Sequence, residues 1–518
     1  MTVEKSAHPT SGPAGAGDGG AALRSVDVLK RQVRTLPLVG LIFFSVSGGP
    51  FGLEESVSSG GAGMTMLMLL VIPVLFGIPC SLMAAELGSA LPVEGGYYYW
   101  VKVGLGKFAA FTEGAWQWMN SFLDTALYPI VFADYLANYW GGVSRGRHVW
   151  FSFFNGQFSI DTHWVVAVAF MIPLAWLNIR GSRLVGDSSL LLMVVVLLPF
   201  AVLSVYGIVH IMQHGTWSDA TSPFTLPGQS NFNAFGACLG VVIWNYIGWE
   251  NPSTVLPEVD EPRRTFRRAL MIAIPLITIS YVLPMIAALG SGLHKNDADW
   301  QDGDFANVAR LLAGPWLFWV LSIGVMIAQV GLFSSLLMSG SRVPRVLAAD
   351  GYLPKWVAKD HPKHKTPAAA IILSCVIFAV FCTMDFSALV DADVLTNMAA
   401  ILLEFAAFIA LRRKLPGMAR PYRVPGGMLG AVGLVVFPTV FTIWLAWSSL
   451  TQEPAAFWIG IVILVLGLLF YPLAKRTLKK GEADAPVFSD LVDLGPGVDT
   501  EQAMRSGLLV AERVPAGA

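Results

Sequence analysis

Seven carboxylic acids stand out because they fall inside stretches that are otherwise apolar: Glu54, Glu55, Glu86, Glu113, Asp124, Glu250 and Glu404. The same stretches, as bounded below, contain no Lys or Arg. An ionisable group near a bilayer centre costs at least about 2.5 kcal/mol unless it faces a cavity or a partner. Acids with no basic neighbours must therefore be protonated, solvated or neutralised by a bound cation. A cationic organic substrate would complete the set. An amino acid substrate also needs a place for its own carboxylate, which unwound glycines with free N–H groups can offer. Ser47, Gly48 and Gly49 form such a segment, so the amino acid alternative stays open.

Glu113, Gln117, Asn120, Asp124 and Tyr128 follow one another at spacings of four, three, four and four, which is one face of a helix. A polar face of that length is expected to line an aqueous path; the alternative is hydrogen bonding between helices. Asp124 sits at mid-depth and is the stronger candidate for holding an amine, while Glu113 and Glu86 lie near a loop and read as structural or gating. Trp244, Tyr246 and Trp249 cluster in another stretch and can hold an ammonium over a ring face, worth about 0.5 to 2 kcal/mol each. Ser334 and Ser335 could offer hydroxyls to a sodium ion, but adjacent serines more often serve packing. Asp297, Asp299, Asp302 and Asp304 read as a solvated loop rather than a device for steering cations.

The elements that hold these groups follow from composition. Of 518 residues, 55% are hydrophobic and only 13% charged, against about a quarter in soluble domains, so an integral membrane protein is expected. A net charge of -1 offers no basic surface for nucleic acid. Cys80, Cys238, Cys375 and Cys382 sit in apolar runs without CxxC spacing and read as packing residues, so neither a disulfide framework nor a metal site is expected. No HExxH, Walker loop or GxSxG elbow is present, and neither a catalytic residue nor a cofactor is assigned.

Twelve apolar stretches are long enough to cross a bilayer, at 36–60, 64–89, 109–140, 163–179, 187–212, 233–256, 269–290, 315–341, 367–384, 390–411, 427–450 and 455–474. Counting basic residues in alternate loops puts 30 on the side of the termini and only Arg145, Arg147, Lys295 and Arg310 on the other, which together are the 34 in the chain. Both termini are therefore expected in the cytoplasm. Residues 1–35, rich in Gly, Ala and Ser, and 475–518, polar with Gly and Pro, read as tails, and a cleavable signal before the first span is not expected.

Two of the twelve stretches cannot run as unbroken helices. Ser47-Gly48-Gly49-Pro50-Phe51-Gly52-Leu53-Glu54 interrupts the first, and Trp244-Asn245-Tyr246-Ile247-Gly248-Trp249-Glu250-Asn251-Pro252 the sixth. Each break carries Gly-x-Glu and opens a unit of five helices. Paired interruptions in corresponding halves point to a transport site between inverted repeats, because freed backbone at membrane depth needs protein, water or ligand to satisfy it. Ordinary kinks for tight packing are the alternative, and the adjacent glutamates argue against it.

SGGPFGLEESVSSGG from Ser47, AELGSALPVEGGYYYW to Trp100, EGAWQWMNSFLDTALYPIVFADYL at 113–136 and WNYIGWENPSTVLPEVDEPRRTF at 244–266 resemble the amino acid, polyamine and organocation (APC) transporter superfamily. They look most like the polyamine uptake transporters of plants and protists, over roughly residues 35–475. The resemblance implies an all-α, LeuT-like fold of twelve transmembrane helices, with one five-helix repeat at 36–212, a second, inverted, at 233–411, and two further helices at 427–474. It also implies proton-coupled polyamine uptake with Glu250 as an amine-binding carboxylate. Some amino acid carriers of the superfamily place a Lys in the fifth helix to mimic a coupling cation; residues 188–209 contain none. A carboxylate must then carry the proton, and Glu54 or Glu55 is the candidate if Glu250 and Asp124 span the amine. The expected location is the plasma (inner) membrane and the expected partners are lipid, a proton and a polyamine or amino acid. A nutrient sensor on the same scaffold is the alternative of another class.

Overall fold

The computed structural model describes residues 33–477 except 144, 145, 147, 154–157, 294–296, 301, 302, 384, 385 and 453; the tails expected at 1–35 and 475–518 lie almost wholly outside the described residues. The first apolar stretch divides into α1 (Thr35–Val46) and α2 (Glu54–Gly60), and the second runs as α3 (Ala62–Ile72) and α4 (Ile78–Ala90). Pro73 lacks an N–H to donate, and the helix passes it through one π-helical turn, Pro73–Gly77. A short α5 (Tyr97–Leu105) leads into α6 (Lys107–Tyr139), whose 33 residues exceed the bilayer core.

A two-stranded antiparallel hairpin, β1 (Phe151–Phe153) and β2 (Phe158–Ile160), precedes α7 (Thr162–Arg180), which Asp161 caps by accepting from the Trp164 N–H. Then come α8 (Ser182–His214), α9 (Asn231–Trp244), α10 (Pro262–Gly290), α11 (Asp304–Ala313), α12 (Pro315–Gly340) and α13 (Arg342–Ala349). The last are α14 (Ala368–Phe381), α15 (Phe386–Lys414), α16 (Gly427–Gln452) and α17 (Pro454–Thr477). Between α9 and α10 the chain unwinds at Asn245–Glu250 and resumes as a 3-10 helix, Asn251–Glu258.

Among the described residues, eight helical segments are long and apolar enough to cross a membrane, and α1, α9 and α14 are shorter apolar helices. The long α6 is the polar exception, as its stripe requires. Packing separates an inner from an outer shell: the most apolar window of α12 is 72% buried, that of α17 only 17%. The inner helices α1, α6, α8, α10, α12 and α15 pack on one another, with α16 and α17 against α15 from outside. Val33 forms a parallel bridge to Val259, tying the start of α1 to the end of the second break.

Candidate functional site

Both breaks depend on glycine. Gly48, Gly49 and Gly52 have φ of +65°, +118° and +78°, a region that costs other L-residues roughly 1–2 kcal/mol each. Gly248 (φ +95°) is more constrained still, because a Cβ there would stand 2.2 Å from the carbonyl oxygen of Ser45. The second break therefore rests directly on the end of α1. Backbone groups released by unwinding find partners: the Gly49 N–H donates to Ser47 Oγ (3.1 Å), the Tyr281 hydroxyl to Asn245 O (2.8 Å) and the Trp249 indole N–H to Tyr246 O (2.7 Å).

Between the breaks and α6 lies a partly enclosed cavity. Its wall includes Ser45, Ser47, Phe51 and Gly52 of the first break, Trp244, Asn245, Gly248 and Asn251 of the second, Asp124, Tyr128 and Tyr135 of α6, Gln329 of α12 and Asn397 of α15. Asp124 is the acid of this wall and no Lys, Arg or His shares it. The Tyr128 hydroxyl donates to Asp124 Oδ1 (2.7 Å), which fixes the carboxylate toward the cavity side of α6. Taking the C-terminal end of α6 as up, the wall climbs from Asp124 to Tyr135.

The structure brings together Ser47, Asp124, Tyr128 and Trp244 and leaves the other expected residues outside the wall. Gly48 packs on Leu332 and Gly49 between Phe51 and Val196, which makes them architects of the break. Tyr246 is buried edge-to-face against Tyr281. Trp249 is buried beside Gly77. Glu54 is buried and accepts from the Gly303 N–H (3.4 Å), while Glu55 is exposed. Glu250 lies outside the wall, only 1% exposed, in electrostatic reach of Glu113 and Glu404.

The seven are not all the acids in these stretches: Asp134, Asp187, Asp391 and Asp393 also fall inside them, and of these four Asp393, in the stretch at 390–411, reaches the site. It is fully buried on α15 and faces Asp124, Asn120 and Trp244, one layer behind the cavity wall. A signal existed: Asp393 and Glu404 are eleven residues apart on α15, as Glu113 and Asp124 are on α6. Eleven residues are about three turns, roughly 16 Å. The two helices pack together, and their polar faces meet rung by rung. Thr396 Oγ1 donates to Asn120 Oδ1, and Gln117 Nε2 stands 3.5 Å from Glu404 Oε1.

Other acids have structural duties. Glu86 is gripped by Arg412 and Arg420 and also accepts from the Val424 N–H (2.6 Å), so a guanidinium beyond the drawn end of the tenth stretch reaches back to neutralise it. Asp297 is not simply a solvated loop residue: its Oδ2 accepts from the Ala62 N–H (2.9 Å) at the start of α3, and Asp304 opens α11. Asp302 lies outside the described residues. Ser335 donates to Leu41 O (2.9 Å) and meets Ser45 Oγ (3.0 Å), and Asn178 donates to Ser334 (3.1 Å), so both hydroxyls already tie helices together.

Below the cavity the lower end is closed by charge pairs. Lys102 and Tyr98 converge on Asp350, Arg342 pairs with Glu258 (2.7 Å), and Arg345 bridges Glu94 (2.6 Å) and Asp360 (2.8 Å). Burial works against the Arg345 charge, yet Glu94 and Asp360 hold its pKa above the ordinary guanidinium value. Arg342 is fully buried, and removing one member of such a pair strands the other.

A cavity between two broken helices suits a carrier. A family model described as amino acid permease matches residues 39–467. A probable polyamine transporter of Arabidopsis thaliana is 32% identical over 90% of this chain and 88% of its own. The polyamine transporter PUT1 of Oryza sativa subsp. japonica is 33% identical over 95% of this chain and 89% of its own. Among solved structures, MhsT in complex with L-phenylalanine shares the fold at a TM-score of 0.55 and 16% identity, covering 85% of this chain and 99% of that one. The chain thus belongs to the amino acid permease family and is a multi-pass membrane transporter.

Proposed function

We propose that the protein imports polyamines or related organic cations by proton symport. The observation that carries this reading is the cavity wall, which presents the Asp124 carboxylate, backed by Asp393, without a basic side chain to neutralise it. An ammonium would satisfy that charge, and Trp244 supplies a ring face beside it. The names of the similar plant proteins support the same substrate class. In this reading Asp124 takes one amine, and Glu250, which stands outside the wall, is not its second ligand.

The reading includes twelve membrane spans in two inverted five-helix repeats, both termini in the cytoplasm and residence in the plasma membrane. α1 with α2, and α9 with the 3-10 segment after it, would then count as the first and sixth spans, and the Tyr135 end of the cavity would face outward. The charge pairs around Arg342, Arg345 and Lys102 would form the closed cytoplasmic gate. Membrane potential favours entry of a cation by about 2.3 kcal/mol per charge per 100 mV. An amino acid substrate is the second reading, favoured by the description of the matching family model and by Ser47 in the wall.

Uptake of labelled spermidine and putrescine into proteoliposomes, with and without an inward proton gradient, tests the proposal. Gradient-stimulated uptake that excess amino acids do not compete is expected. Competition by an amino acid with no polyamine accumulation would move the substrate to the second reading.

A further inference from the structure

We infer that Glu113, Glu404 and Glu250 form a proton-holding site separate from the cavity. The inference rests on the symport reading and says where its proton rides. Glu113 of α6 and Glu404 of α15 are fully buried and face each other, with Glu250 of the second break alongside. Both oxygens of Glu113, both of Glu250 and Oε2 of Glu404 meet no donor at hydrogen-bond geometry. Gln117 Nε2 stands at the long limit of 3.5 Å from Glu404 Oε1 and also faces Glu113. The other titratable groups facing the cluster are the Cys80 thiol from α4 and the Tyr97 phenol from α5, both buried, and neither brings positive charge. Arg412, further along α15, is engaged by Glu86.

Three carboxylates packed together at this burial cannot all stay ionised, because burial penalises each charge and no basic side chain among the described residues faces them. A single proton shared between Glu113 and Glu404 converts two unpaired acceptors into a donor and an acceptor. None of the three residues lines the cavity, which separates them from the proposed substrate site. Glu250 supplies the link to transport. Its neighbours Gly248 and Asn251 are in the cavity wall while Glu250 itself points into the cluster. When the break shifts around a bound cation, Glu250 moves against the Glu113–Glu404 pair and changes its hold on the proton. The balance is one proton bound from outside with the cation and released inside, with no other bond made or broken.

The test uses the full chain in proteoliposomes and two readouts: exchange of labelled for unlabelled spermidine with no gradient, and accumulation driven by an inward gradient of one pH unit. Such a gradient supports roughly tenfold accumulation per coupled proton. Glu404→Gln is expected to keep exchange while its gradient-driven accumulation falls to the level seen without a gradient, and its substrate-driven proton influx, followed with an internal pH dye, disappears. Full accumulation and proton influx in this variant would overturn the inference, and so would loss of exchange in a monodisperse, reconstituted protein, which would make the cluster part of the substrate site. Should Glu404→Gln fail to reconstitute, Glu113→Gln carries the same expectations. Failure of the symport reading shows earlier and separately, as absence of gradient-driven polyamine uptake by the unaltered protein.

Discussion

The same pair of helices carries two groups of acids that differ in access. Asp124 lines the cavity, with Asp393 buried one layer behind it, while Glu113 and Glu404 stand about three turns lower on the same helices, buried together with Glu250 of the second break. Side-chain chemistry is nearly identical, so access assigns the ligand. In the proposed reading the polyamine takes the upper site, where Asp124 and Trp244 line the cavity. In the same reading a proton, which needs no volume, takes the lower group, where Glu404 Oε1 stands beside Gln117 and the other oxygens meet no donor among the described residues. The segment from Gly248 to Asn251 touches both regions and is the part whose movement can couple them.

Gly248→Ala should break this comparison altogether, since the new Cβ would collide with the Ser45 carbonyl in a backbone conformation only glycine adopts freely. Exchange and gradient-driven uptake are both expected to vanish, with a lower Tm in a thermal-shift assay; uptake within twofold of the unaltered protein would remove the break from the account. Asp124→Asn separates the two regions. It removes a charge-assisted contact worth about 1.5–3 kcal/mol, so the KM for spermidine should rise roughly 10- to 150-fold, measured by initial-rate uptake.

Trp244→Ala sharpens the upper region further. Loss of a cation–π contact of about 0.5–2 kcal/mol predicts a KM increase of roughly 2- to 30-fold for cationic substrates. An unchanged KM would show that the indole is only a wall. The smallest effect is expected at Glu55, which is exposed: Glu55→Gln should leave gradient-driven uptake within about twofold, as most surface substitutions do. Loss of coupling there, with Glu404→Gln still coupled, would move the proton out of the lower group.

Much of the scaffold was legible in the sequence. Clustered Gly and Pro marked both breaks, and the four-three-four-four spacing marked the polar face of α6, because local backbone preference and helical period act over a few residues. Asp393 was lost for a different reason. It sits among polar residues, Asp391 to Asn397, at the margin of an apolar stretch, and its importance comes from facing Asp124 across a helix interface. The direction of Glu250 was unreadable because periodicity ends where a helix unwinds. Glu54 has its partner at Gly303, a loop contact that no local pattern announces.

The central claim is that the cavity is a cation site defined by Asp124 and distinct from the acids beneath it. Isothermal titration of spermidine into the purified protein, Asp124→Asn and Glu404→Gln tests it most directly. The account predicts binding to the unaltered protein, affinity weakened at least roughly tenfold in Asp124→Asn, and affinity unchanged in Glu404→Gln. Equal affinity in the unaltered protein and Asp124→Asn, or weakening confined to Glu404→Gln, would contradict it.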